Sequence, residues 1–300
     1  MSINIGFIGI GKMGTPMVMN MLKSHIVYLY DINLSALQPL GDKGGIICST
    51  LANLCKKVSY IVMMLPSGSQ VEEVCTKYDG IFNNAGKGTI IMNCSTMDIE
   101  TSVRLYNLAL EKEIKMLDAP VSGGVAGAEA STLTFMVGGD KDAYMKATPI
   151  LATMGKKIIY AGESGSGQAA KICNNMLLGI TMIGVSETFI LSQKLGIDPK
   201  IFFNISKESS SKCWALTEYA PIPNLVPTSP ANNEFRPGFA SALMLKDLRL
   251  SQEAAASVGI ETTLGNLATL LFERFVSQGN QETDFSGIIN MLRGMGTMKS

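Results

Sequence analysis

The sequence predicts an α/β fold: an N-terminal doubly wound sheet over residues 1–163, a long linking helix over 164–195 and an all-α C-terminal domain over 196–300. Three observations predict it. Up to residue 160 the chain alternates short β-branched runs with segments of helical period, the rhythm of a sheet covered on both faces. A glycine-rich turn, Gly9-Ile10-Gly11-Lys12-Met13-Gly14, joins the first run to the first helical segment. Past Gly167 no strand pattern of any length recurs, and the long segments that remain have helical spacing.

Residues 3–10 are rich in β-branched side chains and read as a buried first strand. Residues 12–23 follow as a helix, with Met13, Met17, Met21 and Leu22 on one face. Residues 26–30 read as a second strand that ends at Asp31. Further strands are expected at 60–65, closed by Pro66, at 89–93, closed by Cys94-Ser95-Thr96, and at 116–121, 133–137 and 157–160. Helices are expected from Leu51, over 99–112 and from Lys141, and the last strands should include antiparallel or mixed pairs. Residues 168–195 read as one helix that is apolar nearly all round, which calls for burial on many sides. Helices at 201–206, 241–258, 264–277 and 285–292 complete the chain, around an irregular stretch holding Pro221, Pro223, Pro227 and Pro230.

Composition excludes several classes. With 300 residues, 46% of them hydrophobic, the chain can bury a large core, and its zero formal net charge argues against a binder of nucleic acid or of membrane surfaces. Cys48, Cys55, Cys75, Cys94, Cys173 and Cys213 form no C-x-x-C pair and read as reduced core thiols. His25 is the only histidine, which argues against a histidine metal site and against imidazole as the catalytic base. The first strand begins almost at Met1, so no leader peptide is expected. The nearest approach to a membrane span, residues 172–191, is interrupted by Asn174, Asn175 and Glu187. A cytoplasmic location is expected if the source is bacterial, or the mitochondrial matrix for a processed eukaryotic form.

Strand, glycine turn, helix, strand and acid is the order of a Rossmann dinucleotide-binding fingerprint. Gly9 permits the tight turn, Gly11 lets the backbone approach a pyrophosphate, and Gly14 lets helix and strand pack closely. Asp31 would accept hydrogen bonds from the adenosine ribose and repel a 2′-phosphate, and no Arg lies between Asp31 and Gly44, so NAD is favoured over NADP. Ligands of such sheets sit beyond the carboxyl ends of the strands. Those ends include Leu65-Pro66, Ser95-Thr96 and Ser122-Gly123-Gly124. The last is an anion nest for a substrate carboxylate or a plain hairpin turn. Lys171 and Asn175 lie one turn apart on the long helix. Lys171 either snorkels to the surface or is buried, and burial would bring its pKa toward a useful range. Lys246 and Asp247 reach a cofactor or form a surface ion pair, and Trp214 packs in a core or lines an apolar substrate wall.

Taken together, these segments resemble the β-hydroxyacid dehydrogenases. Four motifs match in order: F-I-G-I-G-K-M-G-T-P-M at 7–17, D-A-P-V-S-G-G at 118–124, G-S-G-Q-A-A-K-I-C-N-N at 165–175 and K-D-L at 246–248. The runs K-I-C-N-N-M-L-L at 171–178, Lys212-Cys213-Trp214 and S-P-A-N-N at 229–233 narrow the resemblance to the branch that oxidises 3-hydroxyisobutyrate to methylmalonate semialdehyde in valine breakdown. The resemblance implies that Lys171 is the catalytic acid/base, assisted by Asn175. It implies that Ser122, Gly123 and Gly124 hold the carboxylate, with Trp214 and Phe239 beside the substrate. It assigns Gly9, Ile10, Gly11, Lys12, Met13, Gly14, Asp31, Leu65, Pro66, Thr96 and Lys246 to NAD. Gln70 stands where relatives carry a cofactor-contacting Asn. No metal is implied, the partner is a small 3-hydroxy acid, and a homodimer or homotetramer is expected. Reduction of tartronate semialdehyde is the alternative within the class, and it should need a more polar pocket. A non-catalytic dinucleotide-binding scaffold is the alternative outside it, disfavoured by retention of Lys171 and of the Ser122-Gly123-Gly124 nest.

Overall fold

β1 (Asn4–Ile8) is buried at every residue but its first, as expected for a central parallel strand covered on both faces. Its side chains alternate between two cores. Ile5 and Phe7 pack with Met17, Val18 and Leu29, while Ile8 packs with Leu51, Leu54 and Ile61. The computed structural model describes residues 2–295. The chain divides into two compact units, Met1–Lys171 and Ile172–Ser300.

The first unit continues through α1 (Gly14–Met21), β2 (Ile26–Tyr30), α2 (Leu34–Gly41), β3 (Ile46–Ile47), α3 (Leu51–Cys55) and β4 (Tyr60–Met63). It goes on through α4 (Gly68–Thr76), α5 (Ile81–Asn84), β5 (Ile90–Asn93), α6 (Ile99–Glu111), β6 (Lys115–Asp118), β7 (Val121–Ser122) and α7 (Gly124–Glu129). β8 (Leu133–Gly138), α8 (Lys141–Leu151) and β9 (Gly155–Gly162) close it. The sheet runs β3-β2-β1-β4-β5-β6-β8-β7, with β9 also on β8. Pairs from β3 to β6 are parallel, β8 runs antiparallel to β6 and β7, and β9 is parallel to β8, so the sheet is mixed as expected. Strand order reverses at β1, so the crevice for a ligand opens between the ends of β1 and β4.

Four helices of the first unit, α2, α4, α5 and α7, depart from the expected pattern, as does the short helix Trp214–Thr217 in the second. α2 forms although it contains Pro39, because the Asn33 side chain accepts from Ser35 N–H and caps it. Ser67 caps α4 in the same way, and α5 packs against α3 and α4. α7 has two glycines and poor propensity. Its end is satisfied from outside: the buried Asn20 side chain of α1 donates to the Ala128 carbonyl at 2.7 Å. The strand expected at 116–121 is two strands, because Pro120 has no N–H to donate.

The chain then enters α9 (Ser166–Lys194). This helix is not buried all round. Gln168, Lys171, Asn175 and Ser186 are buried, whereas Leu177 is 60% exposed and Leu191 is 58% exposed. Among the described residues α9 is the one helix long and apolar enough, by length and composition, to cross a membrane. The second unit adds α10 (Pro199–Ser206), α11 (Trp214–Thr217), α12 (Ser241–Ser257), α13 (Thr263–Phe275) and α14 (Ile288–Met295). Its core joins Met182 and Phe189 to Phe203, Met244, Leu248, Phe272, Phe285 and Ile288. The cysteines split: Cys48, Cys55, Cys75 and Cys94 are buried, but Cys173 is exposed and not a core thiol. Burial pushes the Cys55 thiol up to about 11.

Candidate active site

The glycine turn after β1 uses each glycine for a different reason. Gly9 has φ +97°, and a side chain there would meet the Met64 carbonyl oxygen at 2.3 Å. A Cβ on Gly14 would lie 2.0 Å from the Gly9 carbonyl oxygen, so helix and turn approach too closely for any other residue. A Cβ on Gly11 would meet no protein atom within 4 Å. The fold therefore does not require glycine at 11, and the open space over its backbone fits a pyrophosphate. Ile10, Lys12 and Met13 complete the turn, with Lys12 exposed. Asp31, at the end of β2, accepts the Ile10 N–H at 2.5 Å and the Asn33 N–H at 2.7 Å. These two donors fix its carboxylate beside the turn.

The ends of β4 and β5 are tied together: Leu65 N–H donates to the buried Ser95 hydroxyl at 2.9 Å. Pro66 and Thr96 flank this bond in sequence. Gln70 lies on the exposed face of α4, its amide oxygen 3.4 Å from the Ser67 hydroxyl.

Sequence reasoning missed the residues that set the start of α9. Asp118, at the end of β6, accepts the Gly165 N–H and the Gln168 N–H, both at 2.9 Å. It thus serves the helix as a long-range cap, with its charge at the positive end of the dipole. Burial pushes the Asp118 carboxyl above its ordinary value, and the backbone donors pull it partly back. Gln168, fully buried, donates to the Ser95 carbonyl at 2.8 Å and accepts the Met97 N–H at 3.1 Å. The signal was present in G-S-G-Q: a glutamine in a small-residue turn has no packing reason to be there. Lys171 follows Gln168 by three residues, on the same side of the helix, and is 8% exposed. The snorkelling alternative does not hold.

Gly123 has φ +133° and Gly124 φ +62°, conformations that side chains avoid, and the Ser122-Gly123-Gly124 turn leads from β7 into α7. In the second unit Asn175 is 1% exposed. It donates to Asp247 at 2.5 Å and accepts from Asn174 at 3.0 Å. Asp247 is buried, with Lys246 Nζ 3.7 Å from its Oδ1. Trp214 is 48% exposed, so it is no core residue; one face stacks on Tyr219 at 4.7 Å. Phe239 is partly buried against Phe285 at 5.7 Å. Among the described residues no cluster of His, Cys, Asp or Glu could hold a metal ion.

Residues 4–162 match the family described as the NAD binding domain of 6-phosphogluconate dehydrogenase. Residues 165–292 match the one described as NAD-binding of NADP-dependent 3-hydroxyisobutyrate dehydrogenase. The chain is 41% identical to a probable mitochondrial 3-hydroxyisobutyrate dehydrogenase of Dictyostelium discoideum, over 97% of this chain and 91% of that protein. The chain belongs to the 3-hydroxyisobutyrate dehydrogenase family. The chain is also 40% identical to an NAD-dependent L-serine dehydrogenase of Pseudomonas aeruginosa, over 94% of this chain and 95% of that protein. The solved Mycobacterium tuberculosis 3-hydroxyisobutyrate dehydrogenase with L-serine superposes with a TM-score of 0.92 at 38% identity, covering 98% of this chain and 100% of that one. Membership in the 3-hydroxyisobutyrate dehydrogenase family makes this chain an NAD(P)-dependent oxidoreductase that acts on a small β-hydroxy acid.

Proposed function

We propose that this family member oxidises 3-hydroxyisobutyrate to methylmalonate semialdehyde with NAD, the step found in valine breakdown, and that Lys171 accepts the hydroxyl proton. The observation that carries the reading is a lysine 8% exposed at the start of a helix whose first turn is fixed by Asp118 and Gln168. A bound nicotinamide supplies the hydride acceptor. Lys171, in its neutral form, takes the proton from the substrate hydroxyl as the carbonyl forms. Backbone N–H groups at Gly123 and Gly124, with the Ser122 hydroxyl, take the carboxylate and so fix which end of the substrate faces the lysine. Asn175, the next residue on that side of α9, has its amide oriented by Asp247 and Asn174 and assists in holding the substrate oxygen. Asp31 favours NAD over NADP, because a fixed carboxylate repels a 2′-phosphate.

A second reading follows from the relative described as an L-serine dehydrogenase. L-serine keeps the carboxylate and the primary hydroxyl and carries an ammonium where 3-hydroxyisobutyrate carries a methyl. The apolar faces of Trp214 and Phe239 favour the methyl. Steady-state kinetics with 3-hydroxyisobutyrate, L-serine and, in reverse, tartronate semialdehyde, each with NAD and NADP, tests the assignment. The expected result is the highest kcat/KM for 3-hydroxyisobutyrate with NAD. A higher value for L-serine transfers the assignment to serine oxidation, and equal use of NADP removes the role given to Asp31.

A further inference from the structure

The helical unit holds a buried carboxylate that the proposed chemistry does not use. Asp284 is 0% exposed. Its Oδ2 accepts hydrogen bonds from the Tyr219 hydroxyl at 2.9 Å and from the Gly238 and Phe239 N–H groups at 3.0 Å each. Its Oδ1 accepts from the Ser286 N–H at 3.0 Å and the Ser286 hydroxyl at 2.6 Å. Backbone bonds fasten the same segments: Asp284 N–H donates to the Phe235 carbonyl at 2.8 Å and Phe285 N–H to the Phe239 carbonyl at 2.9 Å. A carboxylate with this many donors is costly to move, because each donor would lose its partner in a buried place.

What it holds is a column of rings. Trp214 stacks on Tyr219 at 4.7 Å and 24°, and Tyr219 stacks on Phe285 at 5.4 Å and 26°. Phe239 meets Phe285 at 5.7 Å and 66°. Stacking alone lets rings slide; the Tyr219 hydroxyl fixes the far end of its ring on Asp284. Gly238 fits the same plan. A Cβ there would come within 2.7 Å of the Tyr219 hydroxyl oxygen, so glycine leaves the room that hydroxyl occupies.

We infer that Asp284 is a positioning residue for substrate selection: by anchoring Tyr219 and the Gly238-Phe239 backbone it sets the planes of Trp214 and Phe239, the wall that tells a methyl from a polar group beside the carboxylate. The inference rests on the proposed reading that Trp214 and Phe239 face the substrate. One methylene in an apolar pocket is worth about 10–200-fold in selectivity, so a loosened wall has a measurable effect.

Two variants test it. Tyr219→Phe keeps the ring and removes the hydroxyl; Gly238→Ala keeps every side chain in the column and crowds the hydroxyl. Trp214 is the only tryptophan in the chain, so its emission and its quenching by acrylamide report its surroundings without turnover. In both variants quenching of Trp214 should rise. The KM for 3-hydroxyisobutyrate relative to that for L-serine should rise about ten-fold. The kcat at saturation should stay within about three-fold, the pattern of lost binding rather than lost chemistry. Unchanged Trp214 quenching in both variants overturns the inference, and so does altered quenching with an unchanged KM ratio. A wild type that oxidises neither acid overturns the substrate reading, and the specificity claim with it. The quenching change would survive that outcome, which tells the two failures apart.

Discussion

Gln168 Nε2 donates a 2.8 Å hydrogen bond to the main-chain carbonyl of Ser95, 73 residues earlier in the chain. The same amide accepts the Met97 N–H, and Ser95 in turn accepts the Leu65 N–H. The segments that follow β4 and β5 are thus both tied to the first turn of α9, three residues before Lys171. Gln168→Leu keeps the volume and removes both bonds. It should leave a buried carbonyl and a buried N–H without partners and cost about 1–3 kcal/mol of stability for each. If the network also places Lys171, kcat should fall further than KM rises, and the deuterium isotope effect on hydride transfer should increase. A variant destabilised in urea melts with unchanged kcat would leave Gln168 a purely structural residue.

Lys171 is the sharpest point of the proposed mechanism. Lys171→Met keeps much of the stem and removes the proton acceptor. General acid/base catalysis is worth roughly 10²–10⁴-fold, so kcat should fall by about that factor. Titration of the variant with NAD should give near wild-type affinity, and the pH dependence of oxidation should flatten. A variant that keeps wild-type kcat removes Lys171 from the chemistry.

The three glycines of the first turn should respond differently to alanine. Gly14→Ala should fail to fold or lose several kcal/mol, because its Cβ would collide with the Gly9 carbonyl. Gly11→Ala should melt near wild type, since no protein atom is in the way, yet bind NAD poorly. Thermal melting and NAD titration of both proteins check this. A Gly11→Ala protein with normal NAD affinity would remove the pyrophosphate from that space.

Asp118 makes stability depend on pH in a definite direction. Burial raises its folded-state pKa above its ordinary value, so its contribution is complete below the ordinary carboxylate range and is lost as pH rises through the folded value. Asp118→Asn does not titrate there, and its amide would set N–H groups against the Gly165 and Gln168 donors. The variant should be less stable throughout, and the gap to wild type should narrow as pH rises from acidic to neutral. A gap that widens over that range would mean that the donors, not burial, dominate.

The thiols should separate by exposure. An aromatic disulfide reagent added to the native enzyme should react with the exposed Cys173 first and with the half-buried Cys213 more slowly. The four buried thiols should react only on denaturation. Rapid loss of all six in native buffer would contradict the packing of both sheet faces.

Much of the fold was legible because the sheet imposes a strong local pattern. The second strand, at 26–30, matches its structural bounds residue for residue, since Tyr30 and Asp31 switch abruptly from apolar to charged. α6, α8 and α12 lie close to their expected positions for the same reason. What was hidden depended on distant partners. α7 carries glycines and relies on Asn20, more than a hundred residues away in sequence, to satisfy the Ala128 carbonyl. α2 hides behind Pro39 and the glycines around residue 44. In the site, Lys171 and Asn175 stood out as polar residues in an apolar helix. Asp118 and Gln168 did not, since their hydrogen bonds reach across about fifty residues or more.

The link between Asp118 and the start of α9 also bears on how the chain can be cut. The two compact units part between Lys171 and Ile172, inside an unbroken helix. The Asp118 carboxylate at the end of β6 accepts the Gly165 and Gln168 N–H groups at that helix's start. A fragment beginning near residue 165 would therefore carry a frayed start, with the segment before Lys171 unwound in water. Domain exchange among relatives should join chains within the well-paired body of the helix, after its first turns, and should transplant β6 with those turns as one cassette.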